Sequence, residues 1–468
     1  ASFIEETPDP DYSHVSEEVR EAFRDLKYLV RIHWGLYSIL ELRGESWPFL
    51  RMSPEEKQRY QELYRSFNPA HFSADRWMEL FHANGIKGLA FTAKHHDGFS
   101  LFDTKTRVKR RVNWTAPGGP QIEECDLAYS VVESPYGRDV VTEICDAARR
   151  WGLKIDLYFS HPDWYDATFR PYNYHPLTTP DARELFAPGE YEEVTRRPNE
   201  IRIEAPPVTE EETRMMLERH RAQLVELLTR YGKIDMLCLD QWMGWKVWPH
   251  MRETIKLLRK LQPDCMFRAR GIGNYGDYYT PEGFVPGSKE NTDMPWMVIS
   301  SLASSMSYDP DPENYKPGRW IVQNLVDTVS KGGNFMVGIG PDGSGRFHPR
   351  AEQSLREAGE WLRANGEGVY GTRPRPGDLW REGDDVRFTQ TKDTKYIYAF
   401  FMRSPGAHLR LRTVRPKAGT PVVALGAGHP LNWTVDEEGL EVEIPDGLRP
   451  EMERMVSQGA FALKIEVA

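Results

Sequence analysis

A chain of 468 residues exceeds the roughly 250–300 that one hydrophobic core serves, so two domains are expected. With 40% hydrophobic and 28% charged residues the composition is that of a globular protein, and no run approaches the ~20 apolar residues that would span a bilayer. The formal net charge of -10 argues against a broad nucleic-acid surface, which needs clustered excess Lys and Arg.

Cys125, Cys145, Cys238 and Cys265 lie far apart with no CxxC spacing, which predicts free thiols rather than a zinc site or a disulfide framework. No charged-then-apolar leader precedes Ala1, and the missing initiator Met suggests a processed or truncated start. A periplasmic or secreted location is expected over a cytoplasmic one. The 14 Trp and 21 Tyr are many for this length; such rings stack on the apolar faces of sugars, although most serve packing.

Residues 1–30, with Pro8, Pro10 and a helical Val15–Leu26, read as a lead-in. From 31 to 372, short apolar runs alternate with amphipathic helical stretches, the pattern of a (β/α)8-like barrel with parallel strands. Trp77, Leu80 and Phe81 form one helical face before the strand-like Gly88–Thr92. A helix through Val140–Arg150 precedes the strand-like Leu153–Phe159, and another over Glu211–Tyr231 leads to Ile234–Leu239. Such barrels place reactive groups at the C-terminal strand ends. Here those ends carry His95-His96-Asp97, Ser160-His161, Asp240-Gln241-Trp242 and Arg268-Ala269-Arg270. Asn334–Ile339 ends in a Gly-rich turn, Gly340–Gly345, which lacks the Gly-Lys-Ser/Thr ending of a P-loop and reads as a barrel loop. After the Pro-punctuated Thr372–Gly377, residues 373–468 carry only short strands at 386–389, 396–401, 409–411, 422–425 and 440–444, which predicts an antiparallel β-sandwich.

Asp240 closes an apolar strand, a position that suits a nucleophile or, equally, a helix N-cap or solvated loop residue. Glycoside cleavage needs a second carboxylate, and Glu282 in an aromatic-rich loop is a candidate. Adjacent strand residues point to opposite faces, so His95 and His96 would not share a metal ion; imidazoles among aromatics suit hydroxyl ligands, or a purely structural role. No metal or cofactor is called for. The basic run Lys105, Arg107, Lys109, Arg110 and Arg111 is either a solvated loop or a subsite for a sulfated glycan.

Several ordered segments share one resemblance. They are His33-Trp34-Gly35-Leu36-Tyr37-Ser38, Glu45-Ser46-Trp47, Thr92–Phe99, Gly137-Arg138-Asp139, Tyr158-Phe159-Ser160, Val329–Asn334 and Asn365-Gly366-Glu367. Across roughly residues 30–372 the chain resembles the α-L-fucosidases of glycoside hydrolase family 29. The resemblance implies a retaining exo-glycosidase acting on terminal α-L-fucose of a glycan, with Asp240 as nucleophile and Glu282 as acid/base, Glu290 being the fallback. It further implies that His33, Glu45, His95, His96, Tyr158, Arg270 and Trp242 bind the sugar. No nucleic-acid partner or membrane insertion is implied, and a homo-oligomer is compatible with it. Burial near apolar rings would raise the acid's pKa, and a neighbour such as Arg270 would keep a carboxylate charged.

The chain departs from the family pattern at three positions in or near the site. Cys238 stands where the family usually has Trp, Gln241 where Gly commonly follows the nucleophile, and Met297 where Glu often follows Trp296. About twenty extra residues also lie between Asn113 and Gly137. Trp242 or Trp245 could refill the space at Cys238, or that space could admit an α-L-galactoside or a modified algal sugar. A catalytically weak glycan-binding protein that has kept the pocket is the remaining alternative.

Overall fold

The computed structural model describes residues 4–170, 175–177, 205–290 and 292–468. Its strands in the first part of the chain are β1 (Tyr28–Ile32), β2 (Gly88–Lys94), the hairpin β3 (Val108–Asn113) and β4 (Gln121–Leu127), β5 (Lys154–Ser160), β6 (Met236–Asp240), β7 (Met266–Phe267), β8 (Met297–Ser301) and β9 (Asn334–Ile339). Seven of these form one parallel sheet in the order β7-β6-β5-β2-β1-β9-β8. Every residue of β1, β2, β6 and β9 is buried, as expected of strands covered by helices outside and by the barrel contents inside. The helices Ala74–Ala83, Val140–Arg150, Glu210–Thr229 and Trp248–Leu261 precede β2, β5, β6 and β7. Each of the first three starts on a side-chain cap, from Ser73, Asp139 and Thr209 respectively.

The ends of the curled sheet, β7 and β8, do not pair directly. The gap is stitched by single bridges from Arg268 to Tyr278, Tyr279 to Trp296 and Glu282 to Ile299. Backbone bonds follow the same path: Ala269 donates to Tyr278 (2.7 Å), Met297 to Tyr279 (3.0 Å) and Gly283 to Ile299 (2.8 Å). The stretch 278–283 therefore stands where the eighth strand of a closed barrel would stand, and Glu282 is part of it.

Side chains two apart along a strand share a face, so the barrel interior is tiered. At the bottom lie Leu29, Met236 and Met266 within an apolar cluster that also holds Met297 and Met336. Above them sit the buried Arg31, Asp156, Cys238 and Arg268, and above those His33, Tyr158, Asp240 and Arg270. Polarity thus rises toward the C-terminal strand ends.

Beyond residue 380 the chain forms a six-stranded and a three-stranded antiparallel sheet. Five elements there go beyond the strands expected from the sequence: the short strands Arg381–Glu382, His429–Leu431 and Trp433–Asp436, the helix Arg449–Gln458, which buries Met452, Met455 and Val456, and the strand Phe461–Glu466, which lies between 396–401 and 422–424. This region docks on the barrel through Trp361 Nε1, which donates to Ala460 O (2.7 Å), and Arg387 Nε, which donates to Asp327 Oδ1 (2.8 Å). Among the described residues no helix is long and apolar enough to cross a membrane.

At the end of β2, buried Lys94 ties the strand to its neighbours. Its Nζ donates to Asp163 Oδ2 (3.0 Å) and Gln223 Oε1 (2.9 Å), and Asp163 also accepts from Arg219 (2.7 Å). Lys94→Met leaves Asp163 with a single cationic partner and Gln223 short of a donor; a loss of about 3 kcal/mol is expected, read as a lowered urea midpoint. An unchanged midpoint would show that Arg219 alone suffices.

Candidate active site

β2 ends at Lys94 and the chain turns at Gly98, whose φ of 85° is in the left-handed region; a Cβ there would lie 2.3 Å from Asp163 Oδ1. His95 and His96 therefore sit past the strand, and the alternation that would send them to opposite faces no longer applies. Their ring centroids are 4.3 Å apart. His33, from the end of β1, meets His95 edge-on at 5.2 Å, and Tyr158 stacks on His95 at 5.5 Å. Ser46 Oγ is hydrogen-bonded to His95 Nδ1, and Trp47 packs against His96 at 4.8 Å. Burial holds all three imidazoles below their ordinary pKa, His96 at about 4, so they are neutral and each can both donate and accept. Among the described residues, His33 Nδ1 and both nitrogens of His96 are buried without a hydrogen-bond partner. Such groups call for a ligand rich in hydroxyls.

Asp240 lies against this wall. Tyr158 Oη donates to its Oδ2 (2.6 Å), His96 Nε2 is 3.7 Å from the same oxygen, and Arg270 Nη1 donates to Oδ1 (3.1 Å). Burial alone would raise the Asp240 pKa, but Arg270 and Arg268, with the Tyr158 hydrogen bond, outweigh it and hold the carboxyl well below the usual range. The same Arg270 Nη1 lies 2.9 Å from Glu282 Oε2, with Arg268 Nη2 at 3.9 Å. Two oxygens touching one nitrogen at these distances are about 6 Å apart or less, in keeping with the spacing of a retaining pair.

Glu282 does not occupy the apolar, pKa-raising niche expected for an acid. Its side chain is half-exposed, and although what burial it has pushes the pKa up, Arg270 and Arg268 bring it below the ordinary glutamate value. Glu290 is exposed, and among the described residues no bond joins it to Asp240 or Arg270. Glu45 is buried with φ 56°; its Oε1 accepts from Met306 N (2.7 Å), and burial pushes its pKa up to about 7. Trp242 lies farther out, against Trp245 at 5.3 Å and Trp248 at 5.9 Å, and lines a small cavity with His161 and Gly271.

Neither Trp242 nor Trp245 refills the space at Cys238. Two guanidinium groups do: Arg268 Nη1 donates to Sγ at 2.7 Å and Arg31 Nη2 at 3.3 Å. Arg31 also lies over the Tyr158 ring at 4.8 Å. Sequence reasoning noted Arg268 at a strand end without a role and passed over Arg31; its place two residues before His33 in the same strand was the available signal. The basic run is also resolved. Lys105 pairs with Asp103 (2.8 Å), Arg107 and Lys109 with Asp126 (2.9 and 2.8 Å), Arg110 with Glu212 (3.4 Å) and Arg111 with Glu123 (2.8 Å). The run is a neutralised surface, so a sulfate subsite is not free there.

Gln241, directly after Asp240, has φ 72°, the left-handed conformation that side chains other than glycine pay to adopt. Its carbonyl lies so close to Gly271 that a Cβ there would meet it at 2.1 Å. Gln241→Gly should relieve that strain and, after the entropy that glycine gains in the unfolded chain, stabilise the protein by about 0.5–1 kcal/mol. A rise in the thermal midpoint checks this, and a fall would mean that the Gln241 side chain contributes more than its backbone strain costs.

The family model described as alpha-L-fucosidase matches residues 5–367, and the model for the alpha-L-fucosidase C-terminal domain matches 382–466. Human plasma alpha-L-fucosidase is 27% identical over 460 residues, covering 90% of this chain and 85% of its own length. The murine tissue alpha-L-fucosidase is 25% identical over 93% of this chain and 90% of its own length. Among solved structures, alpha-L-fucosidase isoenzyme 1 from Paenibacillus thiaminolyticus superposes with a TM-score of 0.75 at 26% identity, covering 97% of this chain and 99% of that one. The Thermotoga maritima alpha-fucosidase in complex with fucose shares the fold, with a TM-score of 0.70 at 22% identity over 98% of this chain and all of that one. On this evidence the chain belongs to the α-L-fucosidase family, glycoside hydrolase family 29.

Proposed function

We propose that the chain is a retaining exo-α-L-fucosidase in which Asp240 attacks the anomeric carbon of a terminal α-L-fucosyl residue and Glu282 serves as acid, then base. The observation that carries the assignment is the shared Arg270 nitrogen, which keeps the nearest oxygens of the two carboxylates within about 6 Å of each other beside a wall of neutral histidines. His33, His95, His96 and Glu45 hold the sugar hydroxyls. Tyr158 and Arg270 orient Asp240 and keep it ionised, as a nucleophile must be. Trp242 contributes at the outer rim. The substrate is a fucosylated glycan, and the names of the plasma relatives support a location outside the cytoplasm. We infer a lead-in at 1–30, a catalytic barrel at 31–372 and a C-terminal domain at 373–468; the matches at 5–367 and 382–466 support the second boundary, while the first match takes in most of the lead-in.

In the cycle, Glu282 gives its proton to the departing glycosidic oxygen while Asp240 forms the glycosyl ester. Water then attacks from the leaving-group side with Glu282 as base, and the ester breaks with net retention. Asp240→Gly should lower the turnover of an aryl α-L-fucoside by about 10³-fold or more. Glu282→Ala should be rescued by azide, yielding α-fucosyl azide. Rescue at Glu290→Ala in its place would reassign the acid/base, and undiminished turnover in Asp240→Gly would favour a glycan-binding protein over an enzyme.

The electrostatics fix the pH dependence. Asp240 must be charged and Glu282 protonated, and Arg270 lowers the pKa of both. The productive form of the free enzyme is therefore confined to acid pH, and kcat/KM should decline as pH rises past the depressed Glu282 value. Arg270→Gln removes the cation 2.9 Å from Glu282, so the alkaline limb of kcat/KM should move to higher pH whatever the absolute rate. A limb that stays in place would remove Glu282 as the titrating acid.

A further inference from the structure

Away from Asp240, the rim of the barrel carries a groove of about 480 Å³ lined by His71, Phe72, Arg76, Trp77, Arg346 and Phe347. It continues into a second hollow of about 410 Å³ that shares Arg76, Trp77 and Phe347. Beneath it lie buried Trp77 and Phe347, 4.8 Å apart, with half-buried Phe72 4.7 Å from Trp77 and partly open to the groove. Ser73, the N-cap of the helix Ala74–Ala83, and Pro349, the first residue of the helix Pro349–Asn365, both line it, so the starts of two long helices meet there. Ser73 Oγ caps Arg76 N and His348 Nδ1 caps Arg350 N, so the helix starts contribute partial positive charge there.

The charge on this groove is unlike that of the basic run at 105–111. Arg76 and Arg346 are exposed, and among the described residues no carboxylate pairs with either guanidinium. Glu352 also lines both hollows, and its carboxylate is turned to Arg356 at 3.3 Å. The position is also telling. The turn Gly340–Gly345 follows β9, so the groove opens at the same end of the barrel as the proposed catalytic pair. Trp34, the neighbour of His33, forms the partition: its Nε1 donates to Asp342 O (3.0 Å), and its ring packs on Phe72 at 5.0 Å and Trp77 at 5.4 Å.

We propose that this groove is a second carbohydrate site, which takes an acidic segment of a glycan. Sulfate or carboxylate groups are met by Arg76 and Arg346, and the apolar face of a sugar rests on the accessible part of the Phe72 ring. That the occupant is a glycan rests on the fucosidase reading; the cationic groove itself does not.

The test compares the native protein with the double variant Arg76→Gln, Arg346→Gln by calorimetric titration. The probes are sulfated dextran oligosaccharides, oligogalacturonides and neutral dextran oligosaccharides of matched length, none of which carries fucose. At least one acidic probe should bind native protein about tenfold tighter than the neutral one, and the variant should lose that preference. Turnover of an aryl α-L-fucoside should be the same in both proteins. Equal binding of acidic and neutral probes, or an acidic preference that survives in the variant, overturns the proposal. So does displacement of the acidic probe by inorganic sulfate at the same concentration, the mark of a simple anion site. Failure of the fucosidase reading would appear separately, as absence of aryl fucoside turnover in the native protein.

Discussion

One guanidinium nitrogen, Arg270 Nη1, lies against both Asp240 and Glu282, and the rest of the barrel mouth is arranged around that contact. Two carboxylates about 6 Å apart repel by about 3 kcal/mol at an effective dielectric of 20, whereas a cation about 3 Å from each attracts by about 5 kcal/mol. The balance keeps both acids charged in the free protein. Solvent screening weakens the Glu282 half, because that side chain is half-exposed, so Asp240 is the more firmly held of the two. An asymmetry of this kind is what double displacement needs: one carboxylate that stays ionised and one that can take up a proton.

Arg270 is held in turn by Thr280, whose Oγ1 accepts from Nη2 at 3.2 Å, and a second charged tier lies beneath. Arg31 and Arg268 flank the buried Cys238 thiol, burial raises the pKa of Asp156 in the same tier to about 7, and the bottom of the barrel is sealed by methionines. Of these two permanent cations, Arg268 adds to the field that depresses Asp240 and also faces Glu282 at 3.9 Å. Replacing the family's usual tryptophan by cysteine has therefore done more than open space. The thiol accepts from both arginines, whereas an indole offers only a donor.

Much of this was legible in the sequence, because periodicity and strand-end position report on burial directly. The strands at 88–94, 154–160, 236–240 and 334–339, the helices before three of them, and the polar groups at their C-terminal ends follow from apolar runs alternating with helical faces. The convergence of His95 and His96 was not legible. It depends on where β2 stops, and the strand rule applied one residue too far reverses the answer. Ring closure was hidden for a related reason: 278–283 pairs only through isolated bridges, too few to impose an alternating pattern. In the C-terminal region the helix Arg449–Gln458 did carry a signal, since Met452, Met455 and Val456 fall on one face, but the surrounding strands masked it.

Charge was the least legible property, because a cation's meaning depends on whether an acid faces it. The run at 105–111 is the densest basic stretch in the chain, yet the hairpin β3–β4 and its surroundings place a carboxylate against each of its five side chains. Arg76 and Arg346 are isolated in sequence, 270 positions apart, and are brought to one groove only by the packing of the helix Ala74–Ala83 against the turn after β9. In a chain of formal net charge -10 most basic residues find an acidic partner, so the informative cations are those that the fold leaves facing an open cavity.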